Sequence, residues 1–164
     1  MPAGQGAMTR GEQRGVRMVR FAPVSIAALA LLAAPLPAHA RDIVVHMKNM
    51  GKDGAMVFEP AFIKAKVGDR IVFTPTDPSH NAETLPAMLP AGATPMKGAL
   101  NKEVAMTVSA PGLYGIKCMP HYSMGMVALV QVGQPAAADL VAAKAVKLPP
   151  LAAKRMTALL ARVR

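Results

Sequence analysis

Nine consecutive residues, Cys118-Met119-Pro120-His121-Tyr122-Ser123-Met124-Gly125-Met126, gather one thiol, one imidazole and three thioethers. Soft sulfur donors beside an imidazole suit copper and disfavour oxygen-seeking ions such as magnesium or calcium. The spacing Cys118-x2-His121-x4-Met126 puts three donors on one short loop. A four-donor set therefore needs a ligand from a distant part of the chain, and His80 supplies it if the segment around it folds back onto this loop. Two imidazoles and a thiolate can then hold copper in a trigonal plane, with a distant methionine sulfur as a weak axial contact; such a site shuttles one electron. This requirement, two sequence-distant loops meeting at one point, constrains the fold more than any other feature.

Each donor has a plainer reading. A lone cysteine commonly behaves as a small buried hydrophobe, but His121 at plus three and Met126 at plus eight point to a metal ligand. Cys118 is the only cysteine, so no internal disulfide forms. In an oxidising compartment a metal-bound sulfur is protected. His80 alone would be an ordinary loop histidine, yet it follows the end of a strand. Asn81 beside it reads either as a local turn residue or as a tie between the two loops that brings a backbone N–H near the thiolate. Met126 follows Gly125, whose permissive backbone can turn the next side chain inward, and is the axial choice. Met124 is its rival, and Met119 reads as packing. Zinc also accepts histidine and thiolate, but a methionine ligand makes it a poor match.

The first forty residues read as a cleaved secretory signal. Arg10, Arg14, Arg17 and Arg20 precede an apolar run from Phe21 to Ala34, and Ala38-His39-Ala40 has the small-x-small form of a cleavage site. The mature chain then starts at Arg41 in the periplasm, with no stable membrane insertion. The net charge of +10 falls to +7 once residues 1–40 are removed. That charge suits a compact domain with an acidic partner and gives no sign of nucleic-acid binding.

Periodicity outlines an all-β sandwich over residues 41–133, followed by two helices over residues 134–164 that belong to the same domain. Strands are expected over Asp42–Met47, Met56–Val67 with a break at Pro60, Arg70–Pro75, Glu103–Val108, Leu113–Cys118 and Met126–Val132. Residues 82–101, rich in proline and glycine, form a long loop with one helical turn. Helices are expected over Pro135–Lys144 and Pro150–Val163. In the second, Leu151, Arg155, Ala158 and Leu159 share a face that covers the sandwich, with basic residues toward its C-terminal end.

Gly54-Ala55-Met56-Val57-Phe58-Glu59-Pro60, Ser79-His80-Asn81 and Cys118-x-Pro120-His121-Tyr122-x-Met124-Gly125-Met126-x-Ala128-Leu129 together resemble the pseudoazurins, type 1 blue copper proteins of the cupredoxin family. The resemblance implies an eight-stranded Greek-key two-sheet sandwich followed by two helices. It also implies copper, one ion per chain cycling between Cu(I) and Cu(II), on His80, Cys118, His121 and Met126. Amicyanins, a sister group, have a shorter loop that would select Met124; the paired C-terminal helices favour pseudoazurin. Ser79 stands where the family usually has glycine, Met119 where threonine is common, and His46 resembles a family surface histidine outside the site.

The function implied is that of a monomeric periplasmic electron carrier, not an enzyme, which donates to a nitrite reductase or similar respiratory enzyme with an acidic docking surface. The solvent-facing edge of His121 would be the electron exit. Met56, Pro75, Pro120 and Met124 would form an apolar contact patch around it, ringed by lysines 48, 52, 64, 66, 97, 102, 117, 144 and 147. The alternative is a copper-binding or delivery protein without redox turnover.

Overall fold

The computed structural model describes residues 40–164, so the leader reading of residues 1–40 lies, but for Ala40, outside the described residues. Eight strands run in the order β1 Asp42–Gly51, β2 Gly54–Glu59, β3 Phe62–Ala65, β4 Arg70–Pro75, β5 Glu83–Thr84, β6 Val104–Thr107, β7 Gly112–Lys117 and β8 Val127–Val132. Two helices follow, α1 Ala137–Ala145 and α2 Pro150–Leu160. One sheet has the order β2-β1-β4-β6 and the other β3-β8-β7-β5. The pairs β1·β4 and β3·β8 are parallel and the rest antiparallel. This is the expected two-sheet sandwich with two C-terminal helices.

The break at Pro60 transfers the chain between sheets: β2 lies in the first and β3 in the second. Proline cannot donate to a ladder, so it belongs between strands. Period-two alternation sets the core of the first sheet: Val45 and Met47 of β1 point inward, while Val44 and His46 face out. Ile71 and Phe73 of β4 join them, and Phe73 meets Phe58 edge to face at 5.7 Å between ring centroids.

In the second sheet the alternation disappears because both faces are covered. Tyr114, Ile116, Ala128, Val130 and Val132 turn to the inter-sheet core. Leu113, Val127 and Leu129 turn the other way, onto Ala152, Met156, Leu159 and Leu160 of α2. The covering face of α2 therefore differs from the expected one: Leu151 and Ala158 are exposed, and Ala152 and Met156 take the buried stripe. The expected loop over residues 82–101 also holds more structure than its composition suggests. It begins with β5, paired to Lys117 and Ile116 of β7, and continues into a short 3-10 turn at Pro86–Met88.

Strand direction places the loops. β4 ends at Pro75 and leads to His80, β7 ends at Lys117 immediately before Cys118, and β8 begins just after Met126. All three therefore deliver candidate donors to one end of the sandwich. Lys64 and Lys66 correct the expected lysine ring: Lys64 pairs with Gln131 near the far end of β8, and both lysines lie at the opposite end, beside Arg41 and Arg164. Among the described residues, no helix is long and apolar enough to cross a membrane.

Candidate metal centre

The upstream loop is fastened before it reaches His80. Thr76 and Asp77 each donate a backbone N–H to Met47 O, and Asp77 Oδ2 accepts from Asn49 N at 2.7 Å. Beyond them, Asn101 closes the loop: its backbone N–H donates to His80 O at 2.8 Å, and its side-chain oxygen accepts from Ser79 N. Ser79 has φ +72°, a left-handed conformation that glycine adopts without a Cβ penalty. The glycine-to-serine departure thus falls where the backbone favours glycine.

The downstream loop folds as tight turns. Met124 and Met126 both donate N–H to His121 O, Gly125 donates to Tyr122 O, and Cys118 donates to Met126 O at 3.0 Å, which closes the loop on itself. Gly125 has φ +87°, and a Cβ there would stand 3.1 Å from Arg155 Cδ and 3.2 Å from the Leu151 backbone. Arg155 of α2 fixes this corner from outside: Nη1 donates to Gly125 O at 3.0 Å and Met56 O at 2.7 Å, and Nη2 donates to Ala55 O at 2.9 Å. Sequence reading assigned Arg155 only to a helix face. Its partners are main-chain carbonyls, which no side-chain motif reveals.

His80, Cys118 and His121 come together at the meeting of the two loops. Cys118 Sγ lies 3.7 Å from His80 Nδ1 and 3.6 Å from His121 Nδ1, and the two Nδ1 atoms are 3.1 Å apart. A triangle with those sides has a point about 2.0 Å from every corner, within the roughly 2.0–2.3 Å reach of imidazole nitrogen and thiolate to a first-row metal ion. Two imidazole lone pairs aimed at each other across 3.1 Å repel unless a proton or a cation lies between them. The donor set thus fits a soft, nitrogen- and sulfur-preferring ion such as copper.

Met126, whose main-chain oxygen accepts from Cys118 N, is fully buried, whereas Met124 is 45% exposed. Met119, expected as packing, is 56% exposed and belongs to the surface. His80 is completely enclosed, while His121 is half-buried, with exposed Met119, Pro120 and Met124 nearby in sequence.

Asn81 bridges the two loops by a side-chain hydrogen bond. Its Oδ1 accepts the Met119 N–H at 2.8 Å, and its Nδ2 donates to Glu83 Oε1 and to Gly98 O. Burial pushes the Cys118 thiol above its ordinary range, backbone N–H groups of Asn81 and His121 pull it down, and the Glu83 carboxylate adds to the rise. Burial also lowers His80, reinforced by His121 and opposed by Asp77, so its imidazole is held neutral with a lone pair to offer. A metal ion binds cysteine as the thiolate, so coordination would require the Cys118 thiol to give up its proton.

The profile of copper binding proteins, plastocyanin/azurin family, matches residues 45–133. The pseudoazurin of Paracoccus pantotrophus is 52% identical over 85% of this chain and 96% of its own length. That of Methylorubrum extorquens is 44% identical over 89% and 99%. The crystal structure of native pseudoazurin from Hyphomicrobium denitrificans superposes with a TM-score of 0.71 at 45% identity, covering 75% of this chain and 98% of that one. Within the copper-binding plastocyanin/azurin family that the fold and site define, the chain belongs to the pseudoazurins. Copper is accordingly its cofactor, and it is an electron carrier, not an enzyme.

Proposed function

We propose that His80, Cys118, His121 and Met126 would hold the copper ion, and that the protein is a periplasmic carrier donating electrons to a nitrite reductase or similar respiratory enzyme. The observation that carries the ligand assignment is the closed triangle of donor atoms with edges of 3.7, 3.6 and 3.1 Å. Copper, when bound, supplies a one-electron couple between Cu(II) and Cu(I). The protein's part is to keep the donors where both oxidation states accept them. Asn81 locks the two loops, Arg155 braces the Gly125 corner, and the fully enclosed His80 ring excludes solvent.

His121, the half-buried donor, is the electron exit, and exposed Met119, Pro120 and Met124 form the apolar contact rim. Lys97 and Lys102 are exposed on the segment that Asn101 fastens to His80, so cationic charge flanks this end. That charge favours a weak, fast, salt-sensitive encounter with an acidic partner. The leader reading of residues 1–40 supports export.

The test is stopped-flow mixing of the reduced, copper-loaded protein with a copper nitrite reductase at increasing ionic strength. Rapid transfer that slows steeply with salt is the expected result; no transfer even at low salt would overturn the partner assignment. Paramagnetic resonance of Met126→Ala and Met124→Ala tests which methionine would serve as the sulfur ligand beside Cys118. The larger change is expected at Met126, and a larger change at Met124 would overturn that choice.

A further inference from the structure

A largely buried pair of opposite charges lies behind the thiol, and coordination does not use it. Glu83, the first residue of β5, is 9% exposed and sits opposite Lys117 across the ladder to β7. Its two oxygens divide their work: Oε1 accepts from Asn81 Nδ2 at 2.9 Å, and Oε2 faces Lys117 Nζ at 3.8 Å. The Lys117 side chain, 17% exposed, also brings its ammonium to 3.5 Å from Met119 Sδ and 5.3 Å from the centre of the Tyr122 ring.

The Asn81 carboxamide links the carboxylate to the loop that carries the sulfur. Asn81 donates from Nδ2 to Glu83 Oε1 and accepts on Oδ1 the N–H of Met119, the residue that follows Cys118. Charges this deep are weakly screened by salt and act across a lower effective dielectric than surface charges. Reduction of the centre adds one electron from a donor protein and lowers the local charge by one. A fixed carboxylate therefore favours the oxidised form, and a fixed ammonium favours the reduced form. At 3.8 Å the pair is too long for a strong hydrogen bond, so each charge retains a separate effect on the site.

We infer that Glu83 and Lys117 are opposed positioning charges that set the reduction potential of the copper centre, Glu83 lowering it and Lys117 raising it. This rests on the reading that His80, Cys118 and His121 hold copper. A structural role alone does not give the same result, because Glu83→Gln retains an oxygen to accept from Asn81 Nδ2 and removes only the charge.

The experiment is voltammetry of copper-loaded wild type, Glu83→Gln, Lys117→Gln and the double variant, with visible absorption recorded on each sample. Lys117→Met, which keeps most of the aliphatic stem, provides a second arm if Lys117→Gln folds poorly. Glu83→Gln is expected to raise the potential and Lys117→Gln to lower it. Each should change the Cu(I):Cu(II) ratio at fixed applied potential by about threefold to tenfold, tenfold being about 59 mV for one electron. The double variant should return toward wild type, and the single shifts should persist in roughly 1 M salt, where surface charges are screened within about 3 Å. Shifts of the same sign, or none in Glu83→Gln with its absorption intact, would overturn the inference. A wild-type protein with no intense absorption would instead overturn the copper-site reading on which it rests.

Discussion

At one end of the sandwich, the loops that follow β4 and β7 bring His80, Cys118 and His121 together. At the other end, Arg41, Lys64, Lys66 and Arg164 line an open, charged cleft. There Asp69 accepts from the Arg41 guanidinium at 2.7 Å and from the Lys66 and Arg41 backbone N–H groups. Both ends are made of strand termini and turns, so architecture alone does not separate them. The difference lies in how polar groups are satisfied. The charged end pairs its carboxylate within the protein, whereas the metal end brings one sulfur and two imidazole nitrogens to a common point, a donor set that a soft cation fits. Mutations at the metal end should therefore alter colour and redox behaviour, and those at the far end should alter stability only.

The largest effect should come from splitting the two histidines. His80→Gly and His121→Gly should each abolish the type 1 spectrum, but added imidazole should restore colour only in His121→Gly, whose site reaches the surface, while His80 is sealed. Absorption titration with imidazole checks this, and equal rescue of both variants would remove the distinction between the enclosed and solvent-facing ligands. Next in size, Arg155→Met should cost about 2–3 kcal/mol in urea unfolding, since it removes charged hydrogen bonds to three carbonyls. It should also broaden the paramagnetic spectrum by loosening Gly125 next to Met126.

How much of this could be read from the sequence follows the same divide between side-chain signals and main-chain ones. The donors declare their chemistry in their residue types, and the Cys118–Met126 spacing assigns them to a single loop. His80 was recognisable because it follows the end of a strongly patterned strand. Arg155 was not, because it binds carbonyl oxygens 99, 30 and 100 residues away that any residue could supply. β5 was hidden for a related reason: two residues have no periodicity, and pairing with Lys117 and Ile116 makes them a strand. The face of α2 was misread since Leu151 and Leu159 look alike in sequence. The helix buries Ala152 and Met156 against β8 and leaves Leu151 exposed near Gly125.

At the far end the expected effect is smaller and depends on pH. The Arg41 guanidinium, helped by the Lys66 N–H, holds the Asp69 carboxyl well below its ordinary value of 3.8. A depressed carboxylate contributes stability that is complete above that ordinary value and is lost as pH falls through the lower folded value. The stability gap between wild type and Asp69→Asn should thus be full near neutrality and narrow below about pH 4, with no change in the visible spectrum at neutral pH. Urea unfolding at several pH values measures it; a gap that widens in acid would contradict the ion-pair account. The smallest effect should be at Ser79, where Ser79→Gly relieves a left-handed φ of +72° and should stabilise the fold by ~1 kcal/mol in thermal unfolding.

The most direct measurement is titration of the metal-free protein with Cu(II), followed by visible absorption and paramagnetic resonance. Convergence of one sulfur and two imidazole nitrogens predicts a single intense thiolate-to-copper band that saturates at one ion per chain, bleaches on chemical reduction and returns on reoxidation. Saturation without that band, or a colourless complex with Cu(I) alone, would contradict the assignment of an electron carrier.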